Sequence, residues 1–138
     1  MMHFDFKVTG GDFTGAGQAS SRLKKVLKQL GVNPLIIKRA VIALYEAEVN
    51  IVAHANKGII RIHVTSDFVK MVLDDEGPGI KDISKAMEKG YSTASEKVRS
   101  MGFGAGMGLP NIQSNADSFN LSSVPGAGTH LEIIVQFK

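Results

Sequence analysis

Apolar and polar residues alternate in several short runs of the chain, as the side chains of a half-buried β-strand do. The first run carries Phe4, Phe6 and Val8. Two further runs cover residues 59–65 and 68–75, and the short Ser-Asp segment between them predicts a hairpin.

Two more alternating runs follow near the end of the chain, over residues 119–124 and 129–137. They flank the sequence Pro-Gly-Ala-Gly, which is typical of a tight turn. Together with the three earlier runs, they predict a sheet of about five strands.

Apolar residues recur at helical spacing in two other segments. The first is residues 18–30, and Gly31 is a natural helix stop. The second is residues 34–55. Asn33 is a favourable N-cap for it, and Pro34 fits the first helical position.

Shorter helices are predicted over residues 81–90 and 108–116, with a mobile polar loop over 91–101. Strands and helices that each have one apolar face pack together in layers. We therefore expect one α+β domain over residues 1–138. Its predicted architecture is a two-layer sandwich, with a mixed, mostly antiparallel sheet and the helices on one face.

Composition supports a folded domain, since 43% of the 138 residues are hydrophobic. The chain has neither a signal-peptide pattern nor an apolar run approaching the ~20 residues of a membrane span. The lack of cysteine fits a cytoplasmic protein. The net charge is +3, but the basic residues are scattered, so we expect neither a nucleic-acid nor a membrane partner.

The long helix carries a carboxylate and a carboxamide on one face. Glu46 and Asn50 are four residues apart, and Ile42 and Ala43 share their side of the helix, whereas Glu48 lies on the other side. This face is either a solvated surface or a site. In a site, the amide oxygen would bind a hard cation such as Mg²⁺, and the carboxylate would accept a proton.

A second candidate follows the third strand, in the sequence DDEGPGI. Alternation places Asp75 on the inward-facing row, whereas Asp74 points the other way and is expected to be solvated. Gly77 and Gly79 permit a sharp turn with room for a flat ligand. Asp75 would then accept a hydrogen bond from an exocyclic amine. The alternative is an ordinary Asp/Gly turn.

The third candidate is the run GFGAGMGLPN, residues 102–111. Gly104, Gly106 and Gly108 can direct successive backbone N–H groups to one place, and a helix that begins near Gly108 adds its positive N-terminal end. Leu109 anchors that helix by its apolar side chain. The run is therefore either a phosphate-binding loop or a flexible one.

The order of these motifs is more specific than any one of them. A helical E-x-x-x-N is followed by D-x-G-x-G, then by G-x-G-x-G-L, then by Gly-Thr at the start of the last strand. This order resembles the ATP-binding domain shared by DNA gyrase, the ninety-kilodalton heat-shock chaperone, sensor histidine kinases and the MutL repair ATPase. The resemblance covers about residues 35–138 and implies the Bergerat-type ATP-binding fold.

Within that superfamily, the chain is most similar to the small anti-sigma factors and switch-type serine/threonine kinases. The resemblance implies that Glu46 is the catalytic base and that Asn50 holds Mg²⁺ against the phosphates of ATP. It implies that Asp75 binds the adenine amine, with help from Gly79 and, through water, from Thr129.

The resemblance also gives roles to the glycine run. It implies that Gly104, Gly106, Gly108 and Leu109 line the triphosphate, with residues 91–103 as a lid. This lid is longer and more polar than in the shortest switch kinases.

By resemblance, the partner is a STAS-type (anti-anti-sigma) protein phosphorylated on serine or threonine in sigma-factor or stress signalling, and the kinase forms a homodimer. One alternative is a nucleotide-gated anti-sigma or switch module without kinase activity. Another is the detached catalytic domain of a sensor histidine kinase, although no histidine lies in a dimerising hairpin. A gyrase-like or MutL-like ATPase is not expected, because those need a following transducer domain.

Overall fold

Five strands form one sheet in the order β1-β2-β3-β5-β4. The structure, a computed structural model, describes residues 2–80, 82–87 and 108–138, with only the backbone of residue 84. All four strand pairings are antiparallel, so the sheet is fully antiparallel where a mixed, mostly antiparallel one was predicted. The strands are β1 Met2–Thr9, β2 Lys57–Val64, β3 Phe68–Glu76, β4 Ser118–Val124 and β5 Gly128–Gln136.

The two long helices lie close to their predicted bounds. They are α1 Gln18–Gln29 and α2 Pro34–His54, and the Asn33 side chain accepts the Leu35 N–H at 2.8 Å as an N-cap should. The short helices are α3 Ile83–Ala86 and α4 Gly108–Asn115. The loop predicted over 91–101 lies outside the described residues.

The sheet has one buried and one open face, because its strands alternate. Side chains from the three central strands and from α1 and α2 form a single core, in which Leu27, Leu44, Ile60, Met71 and Ile133 are fully buried. The opposite face carries cross-strand ion pairs such as Arg61–Asp74 and Lys70–Glu132. The predicted two-layer α+β architecture is confirmed. No helix among the described residues has the length and apolar character needed to cross a membrane.

A buried carboxylate joins the two long helices. Glu48 of α2 is only 2% exposed, and its two oxygens accept the N–H groups of Ala19 at 3.1 Å and Ser20 at 3.4 Å. These N–H groups belong to the first turn of α1, where no intrahelical acceptor exists. The cap residue Gly17 supplies no side-chain bond. Glu48 therefore caps α1 from a neighbouring helix, which sequence spacing alone did not indicate.

Candidate functional site

The N-terminus of α4 lies directly on the Asn50 side chain. A Cβ placed on Gly108 would lie 3.0 Å from Oδ1 of Asn50 and 3.2 Å from its Nδ2. Only a residue without a side chain lets the two helices approach so closely without displacing the carboxamide. The first turn of α4 and the carboxamide therefore occupy one place, and Leu109 fixes the helix by packing on the core.

Glu46 faces the same helix one turn earlier along α2. The side chain of Asn111, within α4, hydrogen-bonds to its carboxylate. Burial raises the pKa of Glu46 above the usual value, and the hydrogen bond from Asn111 partly opposes this shift. Glu46 is thus a half-buried carboxylate held in a fixed position. Asn111 was not predicted from the sequence, although it lies three residues after Gly108 and so on the same side of α4.

Asp75 lies at the end of β3 on the inward-facing side, as predicted. Its Oδ1 accepts the backbone N–H of Thr129 at 3.1 Å, while Oδ2 has no hydrogen-bond partner in the described part of the chain. Burial raises the pKa of Asp75; the Thr129 hydrogen bond lowers it and the nearby Asp74 charge raises it. The residue therefore presents one fixed and one available oxygen in a half-buried setting.

The turn after Asp75 is locked against its neighbours. Gly79 has φ of +71°, and a Cβ there would lie 2.5 Å from the carbonyl oxygen of Val124. At Gly77, a Cβ would lie 2.9 Å from Cα of Ala55, at the end of α2. Both glycines are thus required by close approach, in addition to the turn itself.

Ser123 connects this turn to the start of β5. Its hydroxyl accepts the Ile80 N–H at 2.7 Å, lies 3.0 Å from the Thr129 hydroxyl, and donates to the Gly128 carbonyl at 3.0 Å. Ser123 was not predicted as a site residue, since nothing in its local sequence distinguishes it from another polar strand residue. It places the Thr129 hydroxyl beside the turn.

The two clusters border the same stretch of α2. Gly77 packs on Ala55, while Asn50 lies five residues earlier, about 7.5 Å along a helix axis. Both clusters therefore lie near the C-terminal end of α2.

The described side chains can bind a hard cation such as Mg²⁺ only if a bound ligand supplies further oxygen atoms. An amide oxygen such as that of Asn50 is a ligand that Mg²⁺ accepts, but no group of three His, Cys, Asp or Glu in residues 2–80, 82–87 and 108–138 forms a metal site. Mg²⁺ commonly uses few protein ligands and binds through substrate phosphates. Asn50 beside a helix N-terminus fits that pattern.

The remaining sequence predictions for the site have outcomes that differ from one residue to the next. Gly104, Gly106 and the lid over 91–103 lie outside the described residues. Asp74 points to the open face with 43% of its side chain exposed, as predicted, and its carboxylate also pairs with Arg61 at 3.2 Å and with the His130 imidazole.

Comparison with known proteins gives consistent matches. A family described as the histidine kinase-like ATPase domain matches residues 13–135. The chain is 37% identical over 115 residues to the serine/threonine-protein kinase RsbT of Bacillus subtilis (strain 168), covering 80% of both chains. It is 38% identical over 92 residues to an anti-sigma F factor of Caldanaerobacter subterraneus, covering 63% of this chain and 61% of that protein.

A solved structure supports the fold alone. The mycobacterial sensor histidine kinase MprB superposes with a TM-score of 0.56 at 13% identity, covering 98% of this chain and 97% of that one.

Proposed function

We propose that this chain, which belongs to the histidine kinase-like ATPase domain family, binds ATP and transfers its γ-phosphoryl group to a serine or threonine of a protein partner. We take residues 1–138 as one ATP-binding domain. The observation that carries the proposal is the arrangement of α2 and α4. Glu46 and Asn50 both face α4, and the Gly108 backbone at its N-terminus lies close to the Asn50 carboxamide.

The adenine end of the nucleotide is assigned to Asp75. Its Oδ2 is available to accept a hydrogen bond from the exocyclic amine, while Oδ1 stays on the Thr129 N–H. Gly77 and Gly79 let the turn pack closely against Ala55 and Val124, which fixes the backbone that follows Asp75. The Thr129 hydroxyl, which lies 3.0 Å from the Ser123 hydroxyl, would reach the base through a water.

The phosphate end is assigned to α4 and the glycine run before it. Gly104, Gly106, Gly108 and Leu109 would line the triphosphate, and the first-turn N–H groups of α4 favour its negative charge. Asn50 would hold Mg²⁺ through its amide oxygen. Bound there, Mg²⁺ would neutralise phosphate charge.

Glu46 is the proposed base. The partner hydroxyl oxygen forms a bond to the γ-phosphorus as the bond from that phosphorus to the β,γ-bridging oxygen breaks. The hydroxyl proton passes to Glu46, and ADP leaves with the bridging oxygen. Burial raises the Glu46 pKa, which makes the carboxylate a better proton acceptor, and the Asn111 hydrogen bond keeps it aimed. Transfer is therefore expected to fall as pH drops through this raised pKa.

The proposed partner is a STAS-type (anti-anti-sigma) protein in sigma-factor regulation in the cytoplasm. Support comes from similarity to proteins named as a serine/threonine kinase and as anti-sigma F factors. A phosphate adds about two negative charges to an interface, enough to release a complex. By the same similarity we propose a homodimer, which sedimentation analysis would test.

Transfer of labelled phosphate from ATP to purified STAS domains tests the proposal. The wild-type protein should label a STAS domain on serine or threonine. Glu46→Gln should abolish labelling and retain nucleotide binding. Asp67→Asn, the same change at an exposed position in the β2–β3 turn, should behave as wild type. Undiminished labelling by Glu46→Gln would reject the base assignment.

A second candidate is a nucleotide-gated anti-sigma module that does not phosphorylate its partner. The 38% identity to an anti-sigma F factor favours it. It predicts a nucleotide-dependent complex with a sigma factor in which Glu46→Gln has no effect and no phosphate is transferred.

A further inference from the structure

Asp74 and Asp75 are adjacent on β3, and their side chains leave the sheet on opposite faces. Asp75 shares the helix-covered face with Leu73, while Asp74 lies on the open face. Thr129 and His130 of β5 alternate in the same way. On the covered face Asp75 accepts the Thr129 N–H, and on the open face Asp74 bonds Nδ1 of His130. The two strands are therefore joined twice at the candidate site.

The Asp74–His130 pair has a special place in the ladder. It is the last register pair of β3 and β5 on the side of the candidate site. Just beyond it, a Cβ on Gly128 would lie 2.0 Å from the Asp75 carbonyl oxygen. Directly opposed charges stabilise neighbouring strands. The pair thus holds β3 and β5 together where Asp75 must meet the Thr129 backbone.

The surroundings of the imidazole are mainly charged. Arg61 of β2 lies 3.2 Å from the other oxygen of Asp74, and Glu132 lies 3.4 Å from Nε2 of His130. The charged groups around His130, from β2, β3 and β5, are Arg61, Lys70, Asp74 and Glu132, and its β4 register partner, Ser122, is uncharged.

The charge of Asp74 on the open face affects the pKa values of His130 beside it and of Asp75 on the covered face. The hydrogen bond to Asp74 raises the pKa of His130, burial lowers it, and the charges of Asp74 and Glu132 raise it further. Burial raises the pKa of Asp75, and the Asp74 charge adds to that rise. A protonated His130 therefore offsets the charge that opposes ionisation of Asp75.

We propose that His130 is a positioning residue for nucleotide binding, which in its protonated form holds Asp74 and thereby keeps the neighbouring Asp75 aligned for the adenine amine. The inference rests on the proposed adenine-binding role of Asp75. Since the folded-state pKa of His130 lies above its ordinary 6.5, the imidazolium is fully present below 6.5 and is lost as pH rises through the raised value. Nucleotide affinity should decline over that same interval.

Calorimetry with Mg-ATP between about pH 6 and about pH 9 tests this, since that range spans the histidine titration. His130→Gln should weaken binding about two- to fivefold at the acid end, the size that a partly exposed ion pair permits. It should also remove the decline seen in wild type. His130→Lys keeps the charge, so it should retain the affinity and bind equally across the range. His63→Gln, on the same face but not in contact with Asp74, should match wild type.

The Asp74→Asn background separates positioning from a general structural effect. There His130→Gln should change affinity less than about 1.5-fold, because the charge it offsets is gone. An equal loss in both backgrounds, or a wild-type pH profile in His130→Gln, would overturn the inference. In the nucleotide-free protein, the His130 resonance should titrate above 6.5 and shift down in Asp74→Asn. If the wild-type protein binds no nucleotide at any pH, the proposed function fails and the inference with it.

Discussion

A Cβ placed on Gly108 would lie 3.0 Å from Oδ1 of Asn50, so the first residue of α4 rests on the carboxamide of α2. This contact joins two segments that are 58 positions apart in the sequence (108 minus 50). It places the N–H groups of a helix N-terminus beside a neutral oxygen ligand. An anionic ligand with a divalent cation fits this pair better than either alone.

Gly108→Ala should therefore weaken Mg-ATP binding while leaving the fold intact. The new methyl group displaces the carboxamide, a flexible side chain, and we expect about tenfold lower affinity for a loss of about 1.4 kcal/mol of binding free energy. Calorimetry measures the affinity and urea unfolding the stability. Ser114→Ala, on the exposed side of α4, is the control and should change neither. If Gly108→Ala binds Mg-ATP with wild-type affinity, the contact between Gly108 and Asn50 plays no part in nucleotide binding.

Gly79→Ala should disrupt the turn after Asp75. The substitution combines positive φ, +71°, with a Cβ 2.5 Å from the Val124 carbonyl oxygen, so either the turn or β4 must move. Gly126→Ala is a matched control, because Gly126 has φ of +82° but nothing within 4 Å of its Cβ. Backbone strain alone costs about 1–2 kcal/mol in both variants. Urea unfolding should show a larger loss for Gly79→Ala, and only that variant should lose nucleotide binding.

Substitution of Glu48 should lower the stability of the protein whether or not nucleotide is bound. Glu48→Ala leaves the N–H groups of Ala19 and Ser20 without their acceptor inside the protein, which should cost about 2–4 kcal/mol of unfolding free energy. Glu48→Gln retains one oxygen acceptor and should lose less. In Glu48→Ala, the rate of amide hydrogen exchange should increase first at the start of α1. Exchange unchanged there in Glu48→Ala would show that the cap is dispensable.

Protonation of Asp117 should lower the stability of the protein in acid. Asp117 accepts the Gln136 N–H at 2.7 Å and pairs with Arg39 of α2 at 3.0 Å. The Gln136 hydrogen bond and the Arg39 side chain hold its pKa below 3.8. Its contribution is therefore present above pH 3.8 and is lost as pH falls through the lowered pKa. Asp117→Asn should be less stable than wild type near neutrality, and the difference should vanish in acid urea titrations.

The sequence was sufficient for the order and type of the described elements, because the strands and the two long helices each have a clear period. It was less accurate at strand ends. Strand β2 begins at Lys57, two residues before its predicted start, since Lys57 and Gly58 pair with Glu76 and Asp75 of the next strand. Such pairing depends on the partner strand and does not show in the local pattern.

In the candidate site, too, the sequence predicted the features that depend on local spacing and missed those that depend on distant segments. Spacing placed Glu46 and Asn50 on one helical face, and both do face α4. Alternation placed Asp75 inward. The contributions of Asn111 and Ser123 arise from approach between segments far apart in the chain. No local signal marks Ser123, and only its spacing of three residues from Gly108 points to Asn111. The Asp74–His130 pair depends on strand register, which a shift of one residue would change.

The most direct test of the account is a calorimetric comparison of Mg-ATP and Mg-GTP binding to wild-type protein and to Asp75→Asn. Guanine has a carbonyl where adenine has its amine, so a carboxylate at Asp75 should select ATP. We expect wild type to bind ATP but not GTP, and Asp75→Asn to lose at least about tenfold in ATP affinity with its fold intact by circular dichroism. Equal binding of the two nucleotides by wild type, or undiminished ATP binding by Asp75→Asn, would contradict the claim that Asp75 recognises adenine.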